Sequence, residues 1–145
     1  MAKKIELILD TNIFIDAING NDYAIKILAL VDSKKAKLYF SRNTVGELFY
    51  VVHNICKYQI KNKRISKDIM LNLTDMYLNS VNINTKNSDG SPKCKDIDDD
   101  MFLECAYISK PDYLISNDIK SGMHSISFDK TKIITSKEFI ENFEK

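Results

Sequence analysis

Hydrophobic and polar positions change period several times along the chain. Residues 5 to 9, IELIL, form a short apolar run that stops on Asp10, the pattern of a buried strand. IFIDAI, residues 13 to 18, follows as a short helix. Between 24 and 36 apolar residues recur at Ile25, Leu28 and Val31, or at Ile27, Leu30 and Val31, which is helical spacing. KLYFS, 37 to 41, reads as a second strand. Residues 42 to 63 place Val45, Leu48, Phe49, Val52, Ile55 and Cys56 on one side of an amphipathic helix. A helix over 66–80 opens on a Ser66 cap. VNI, 81 to 83, is a short strand, and the Asn, Ser, Gly and Pro of 84–95 make a loop. A helix over 98–109, strands over 112–116 and 131–135, and a Ser136-capped helix over 136–143 complete the chain. Short apolar strands alternating with helices predict one α/β domain over 1–145 with a mainly parallel sheet.

The chain has 145 residues, 44% hydrophobic and 28% charged, the make-up of an ordinary globular domain rather than a disordered or membrane-spanning one. No apolar run nears the ~18 residues that suggest a membrane span. The apolar stretch of MAKKIELIL is too short for a signal peptide. Cys56, Cys94 and Cys105 are odd in number and lack CxxC spacing. That argues against a disulfide framework or a zinc site and fits a reducing cytoplasm. A net charge of +1 carries no global sign of a nucleic-acid partner. Locally, no acid falls between Glu47 and Asp68, while Lys57, Lys61, Lys63, Arg64 and Lys67 do. Such a run is either a solvated helix face or a phosphate-facing patch.

The acids carry the candidate chemistry. Asp10 is either the N-cap of the following helix or a carboxylate at the carboxyl end of a parallel strand, where open α/β sheets keep their ligands. In KCKDIDDDMFLECAYIS, Asp96, Asp98 and Asp100 alternate as in a calcium loop, but Met101 and Phe102 follow where such a loop needs glycine. Acids also gather at helix N-termini for electrostatic reasons alone. Counting back three, four or seven residues from Phe102, Leu103 and Ala106 reaches Asp99 from all three, which singles it out among the acids of the cluster. A carboxylate on a buried stripe is costly without a partner, and a metal ion is one such partner. DYLISND ends its strand on Asn117 and Asp118, which is either an Asx turn or a second carboxylate on the rim of Asp10. Glu47 shares a strip with Thr44 and Val51, at the border of core and solvent, and its helix begins directly after KLYFS.

Taken in order, LDTN (Asp10), SRNTVGEL (Glu47), DIDDDMFLECA (Asp99) and ISND (Asp118) resemble the PIN domain family. The nearest branch is toxin-like (VapC-type), related to the ribonuclease component of toxin–antitoxin pairs. The resemblance runs from Leu9 to about Ile134. It implies a three-layer α/β/α fold in which Asp10, Glu47, Asp99 and Asp118 are catalytic and bind Mg2+ or Mn2+, with Asn12 and Ser116 lining the site. It implies a cytoplasmic, metal-dependent endoribonuclease that cleaves single-stranded or structured RNA, the toxin of a pair with an antitoxin protein, forming a homodimer. Related members often carry Gly-Asp-x-Asp-Leu after the fourth strand. Here Asn117, Asp118, Ile119, Lys120 and Ser121 stand there, so a lysine replaces the second acid. Residues 119–130 match no pattern.

Hard divalent cations take oxygen ligands, and a cation among clustered carboxylates would relieve their repulsion, acidify water and offset charge on a phosphodiester. That chemistry needs no histidine base, and His53 and His124 fall outside the motifs. The four carboxyl groups are expected to converge, with Asp98 and Asp100 turned away. Lys57, Lys61, Lys63 and Arg64 are the expected RNA contacts, with Tyr58 stacking on a base. Two other classes fit parts of the pattern. One is a PIN-like RNA- or protein-binding module of weak turnover, suggested by Lys120. The other is a phosphotransfer domain, which would need a rim lysine and an acid beside Asp10.

Overall fold

The computed structural model describes residues 3–144. Five strands form one sheet: β1 (Ile5–Leu9), β2 (Ala36–Ser41), β3 (Val81–Ile83), β4 (Tyr113–Ile115) and β5 (Lys132–Ile134). Their order is β3-β2-β1-β4-β5, and every neighbouring pair is parallel. Six helices flank it: α1 (Thr11–Ile18), α2 (Asp22–Asp32), α3 (Arg42–Tyr58), α4 (Lys63–Leu78), α5 (Asp100–Ser109) and α6 (Ser136–Phe143). No helix among the described residues is long and apolar enough to cross a membrane.

Side chains of a strand alternate between the two sheet faces, and the core divides accordingly. Leu7, Leu9, Leu38, Phe40 and Ile115 pack with α1, α2, α3, α4 and α6. Ile8, Tyr39, Leu114 and Ile133 face the other way, against Phe102, Leu103, Cys105 and Ala106 of α5. Helices thus cover both faces, which explains why the strands read as nearly continuous apolar runs. The unmatched segment 119–130 helps cover the second face. It holds two 3-10 turns, Ile119–Ser121 and Met123–Ser125, and packs Met123, Ile126 and Phe128 there.

The order of strands sets the site. From the central β1 the chain builds outward to β2 and β3, then crosses to β4 and β5 on the other side. The crevice beyond the carboxyl ends of β1 and β4 is therefore the topological switch point, where open α/β sheets bind ligands. Leu9 pairs with Ile115, so Asp10 and Ser116 leave the sheet side by side.

Several element ends differ from the sequence expectation. Helix α2 spans Asp22–Asp32, because Asn21 caps it and Lys34 turns left-handed (φ 63) to lead Ala36 into β2. Helix α3 stops at Tyr58 instead of running to 63, since Asn62 is extended and caps α4 through the amides of Arg64 and Ile65. Ser66 is consequently inside α4 and not its cap; its hydroxyl donates to Cys56 O and ties α4 to α3. Helix α6 is capped by Thr135 in a reciprocal pair with Glu138, and Ser136 is its first residue. The expected helix over 98–109 is a 3-10 turn, Ile97–Asp99, followed by α5. Strands β4 and β5 each keep three residues of the five expected.

Candidate functional site

Asp10 both caps α1 and stands at the carboxyl end of β1. It is the N-cap of α1, accepting Asn12 N–H at 3.3 Å on Oδ1. Its Oδ2 accepts the Ser116 hydroxyl at 2.7 Å, and its amide bonds Ile115 O at 2.9 Å. The residue is almost fully buried. Burial pushes its carboxyl up from the ordinary 3.8; the Ser116 and Asn12 bonds oppose this, and the charges of Asp118 and Asp16 add to it.

Ser116 is the hub of the rim. Its amide donates to Ile134 O on β5 at 3.0 Å. Its hydroxyl donates to Asp10 and accepts the Asp118 amide at 3.2 Å. His124 Nε2 lies 2.8 Å from its carbonyl, which can only accept, so Nε2 carries the proton. His124 Nδ1 is buried without a partner among the described residues. Asn117 points elsewhere: it donates to Asp16 at 3.0 Å and accepts from the amide and hydroxyl of Ser136, joining α1 to α6. Asn12 is exposed in the first turn of α1.

Asp99 enters from the opposite side of the crevice. It occupies the N-cap position of α5, yet its side chain makes no capping bond. It is 9% exposed, and its Oδ2 is buried with no hydrogen-bond partner among the described residues. Desolvation, then the charges of Asp10, Asp96, Asp118 and Glu47, push its carboxyl from 3.8 to about 7. Carboxylate oxygens of Asp96, Asp99 and Asp118 all lie within 4.8 Å of one another. Asp10 and Glu47 stand outside this trio but are coupled to it by charge. Burial raises the Glu47 carboxyl first, and Asp10, Asp98 and Asp96 raise it further. The Thr11 hydroxyl opposes that shift, although it has no hydrogen bond of regular geometry.

The acidic run thus sorts differently from the sequence expectation. Asp99 is not the one buried acid: Asp100 is equally buried. Asp100 does turn away from the crevice, accepting the Cys94 amide at 2.9 Å and so folding the preceding loop onto α5. Asp98 is exposed, as expected. Asp96, singled out only as part of a rejected calcium loop, joins the cluster. The signal for it was its place three residues before Asp99, where a 3-10 turn carries the chain back upon itself.

No lysine, arginine or histidine forms an ion pair with Asp10, Glu47, Asp96, Asp99 or Asp118 among the described residues. A buried carboxylate oxygen without a partner, amid four further carboxylates and no protein cation, matches the oxygen donor set of a hard divalent ion. The residues present therefore fit such an ion. The expected RNA contacts lie apart: Lys57, Lys61, Lys63 and Arg64 are exposed where α3 meets α4. Lys57 Nζ sits 5.2 Å from the exposed ring of Tyr58. Lys57 is ten residues from Glu47 along α3, about 15 Å at the helical rise. His53 is exposed on α3.

Comparison with known proteins agrees with this architecture. A family model described as PIN domain matches residues 6–120. An uncharacterised protein of Methanocaldococcus jannaschii, MJ1680, is 32% identical over 151 aligned positions, covering 98% of this chain and 94% of that protein. Among solved structures, VapBC2 of Rickettsia felis, bound to a DNA fragment from their promoter, superposes with a TM-score of 0.55 at 19% identity, covering 90% of this chain and 98% of that one.

Proposed function

The chain belongs to the PIN domain family, and on that premise we propose that it is a divalent-metal-dependent endoribonuclease whose centre is the acidic crevice between β1 and β4. The observation that carries this reading is the buried, unpartnered Oδ2 of Asp99 among carboxylates that no protein cation neutralises. In this reading Asp10, Glu47, Asp99 and Asp118 hold Mg2+ or Mn2+, which supplies Lewis acidity toward a phosphodiester and makes water a better nucleophile.

The chain's own residues set the conditions for that chemistry. Ser116 fixes Asp10 and Asp118 relative to each other. The His124 donor and the Ile134 carbonyl in turn fix Ser116. Asp99, having no other partner, is free to turn toward an ion. The carboxyls of Asp10, Glu47 and Asp99 are all raised, so a cation competes with protons here more than at free carboxylates. A crowd of carboxylates repels a polyanion, so the RNA backbone is held from outside, by Lys57, Lys61, Lys63 and Arg64.

Fold similarity to VapBC2 supports a toxin whose partner is an antitoxin protein. An apolar cleft lined by Phe14, Ile18, Leu28, Ile69, Leu73 and Met76 offers such a partner's helix a seat. The binding-module alternative has one observation in its favour, the exposed Lys120 two residues after Asp118.

Incubation of the purified chain with single-stranded and structured RNA tests the reading. Internal cleavage that needs Mg2+ or Mn2+ and stops with EDTA is expected. RNA that is bound but stays intact in both ions would favour the binding module.

A further inference from the structure

We propose that Asp96 is itself a ligand of the divalent cation, which seats among Asp96, Asp99 and Asp118 with Asp10 and Glu47 beside it. The inference deepens the reading above and rests on it for the presence of a cation.

Three observations converge on Asp96. First, its carboxylate reaches within 4.8 Å of those of both Asp99 and Asp118, while Asp10 and Glu47 do not join that group. Around an octahedral ion with 2.0–2.1 Å bonds opposite oxygens stand about 4 Å apart and adjacent ones about 3 Å, so the trio must close by about 1–2 Å to seat it. Second, Asp99, the nine-tenths buried member, has an oxygen with no hydrogen-bond partner among the described residues. Both oxygens of Asp10 already accept hydrogen bonds. Third, the backbone is built to deliver Asp96 to this place. The amides of Lys95 and Asp96 both donate to Ser121 O, at 3.0 and 3.3 Å. The Ser121 hydroxyl donates to Asp118 O at 2.9 Å. Gly122, left-handed at φ 83, closes the turn that presents Ser121 to both segments. The carbonyl of Asp96 is held as well, by Asp99 N–H at 3.1 Å and Cys94 Sγ at 3.0 Å.

Within the Asp96 side chain, Oδ1 accepts the Asp98 amide at 3.0 Å, capping the 3-10 turn. The other oxygen is left to the ion. This division supplies a clean variant. Asparagine caps as well as aspartate, so Asp96→Asn keeps the turn and removes the charged ligand. Asp98→Asn removes an equal charge two residues on, from a side chain outside the trio, and separates ligation from a general field effect.

Mn2+ binding to the full chain, read by calorimetry and by the loss of the free-ion EPR signal, decides the matter without reference to cleavage. Asp96→Asn is expected to weaken Mn2+ binding by ~10-fold or more. Asp98→Asn is expected to change it by less than about 3-fold, since an exposed charge acts through screened solvent. Should Asp96→Asn fail to fold, Asp96→Ser, which also caps, is expected to show the same loss. Unchanged binding in the Asp96 variants, or an equal loss in Asp98→Asn, overturns the proposal. A wild-type chain that binds no Mn2+ overturns it together with the metal-nuclease reading. Intact binding in the wild type with loss in Asp96→Asn supports the proposal even if no RNA is cleaved, in which case the nuclease reading alone falls.

Discussion

The Ser116 hydroxyl donates to Asp10 Oδ2 at 2.7 Å across the ends of two paired strands. That one bond joins β4 to β1 at the switch point of the sheet and holds a buried carboxylate in place. Because the donor favours the charged form of Asp10, its worth depends on pH. Ser116→Ala is expected to lower stability by roughly 1–3 kcal/mol in urea melts at pH 8. At pH 4 the loss is expected to be smaller, because protonated Asp10 needs the donor less. Equal losses at both pH values would contradict this account of the bond.

The raised carboxyls make a second pH prediction. Asp99 ordinarily titrates at 3.8 and in the folded chain at about 7. Between those values the folded protein keeps a proton that the unfolded chain releases, so raising the pH lowers stability. The contribution is whole below 3.8 and gone once pH has passed 7. Asp10 and Glu47 are raised too and act in the same direction. Glu6 is lowered by its Tyr39 bond, so its stabilisation fades only as pH falls below its ordinary 4.5, outside this window. Melting temperature in EDTA should therefore fall from pH 5 to pH 8, and saturating Mn2+ should flatten or reverse the trend. A melting temperature that climbs through that range in EDTA would show the acids to be well solvated.

Asp10 caps α1 and is proposed to hold the cation, and two substitutions separate the roles. Asp10→Asn keeps a capping oxygen for the Asn12 amide and removes a buried charge. It is expected to melt above the metal-free wild type while losing RNA cleavage, a trade of stability against function. Asp10→Ala lacks the cap as well and should fall about 1 kcal/mol below Asp10→Asn. Cleavage that persists in Asp10→Asn would leave Asp10 a structural cap only.

The order of elements was legible in the sequence because strand and helix periods differ and the strands are apolar on both faces. Element ends were less so. Nothing in SKKA signals the left-handed turn at Lys34, and Asn62 outcompetes Ser66 as a cap simply by lying earlier in the chain. The rim positions of Asp10 and Asp118 followed from strands that end on acids. Asp96 and His124 did not follow. Their placement depends on the bonds of Lys95 and Asp96 to Ser121 O and of His124 to Ser116 O, contacts between segments with no periodic pattern. The burial of Asp100 was hidden for a similar reason: its partner is a loop amide, at Cys94, and not an apolar stripe.

The basic patch yields a salt test. Lys57, Lys61, Lys63 and Arg64 are exposed, and none forms an ion pair among the described residues. Neutralising all four should weaken RNA binding for every sequence alike. It should also flatten the dependence of log affinity on log salt by as much as ~3, at about 0.7 per phosphate contact on a single strand. An unchanged slope would make the patch a solvated helix end.

If the crevice carboxylates hold a divalent ion for RNA cleavage, Asp99→Asn must impair ion binding and cleavage together. One preparation serves for the single-turnover cleavage rate in Mn2+, for Mn2+ affinity and for metal-free melting. The variant is expected to cleave ~10²-fold or more slowly, to bind Mn2+ more weakly and to melt at or above the wild type. Cleavage and Mn2+ binding at wild-type levels in a folded Asp99→Asn protein would contradict the metal-nuclease reading.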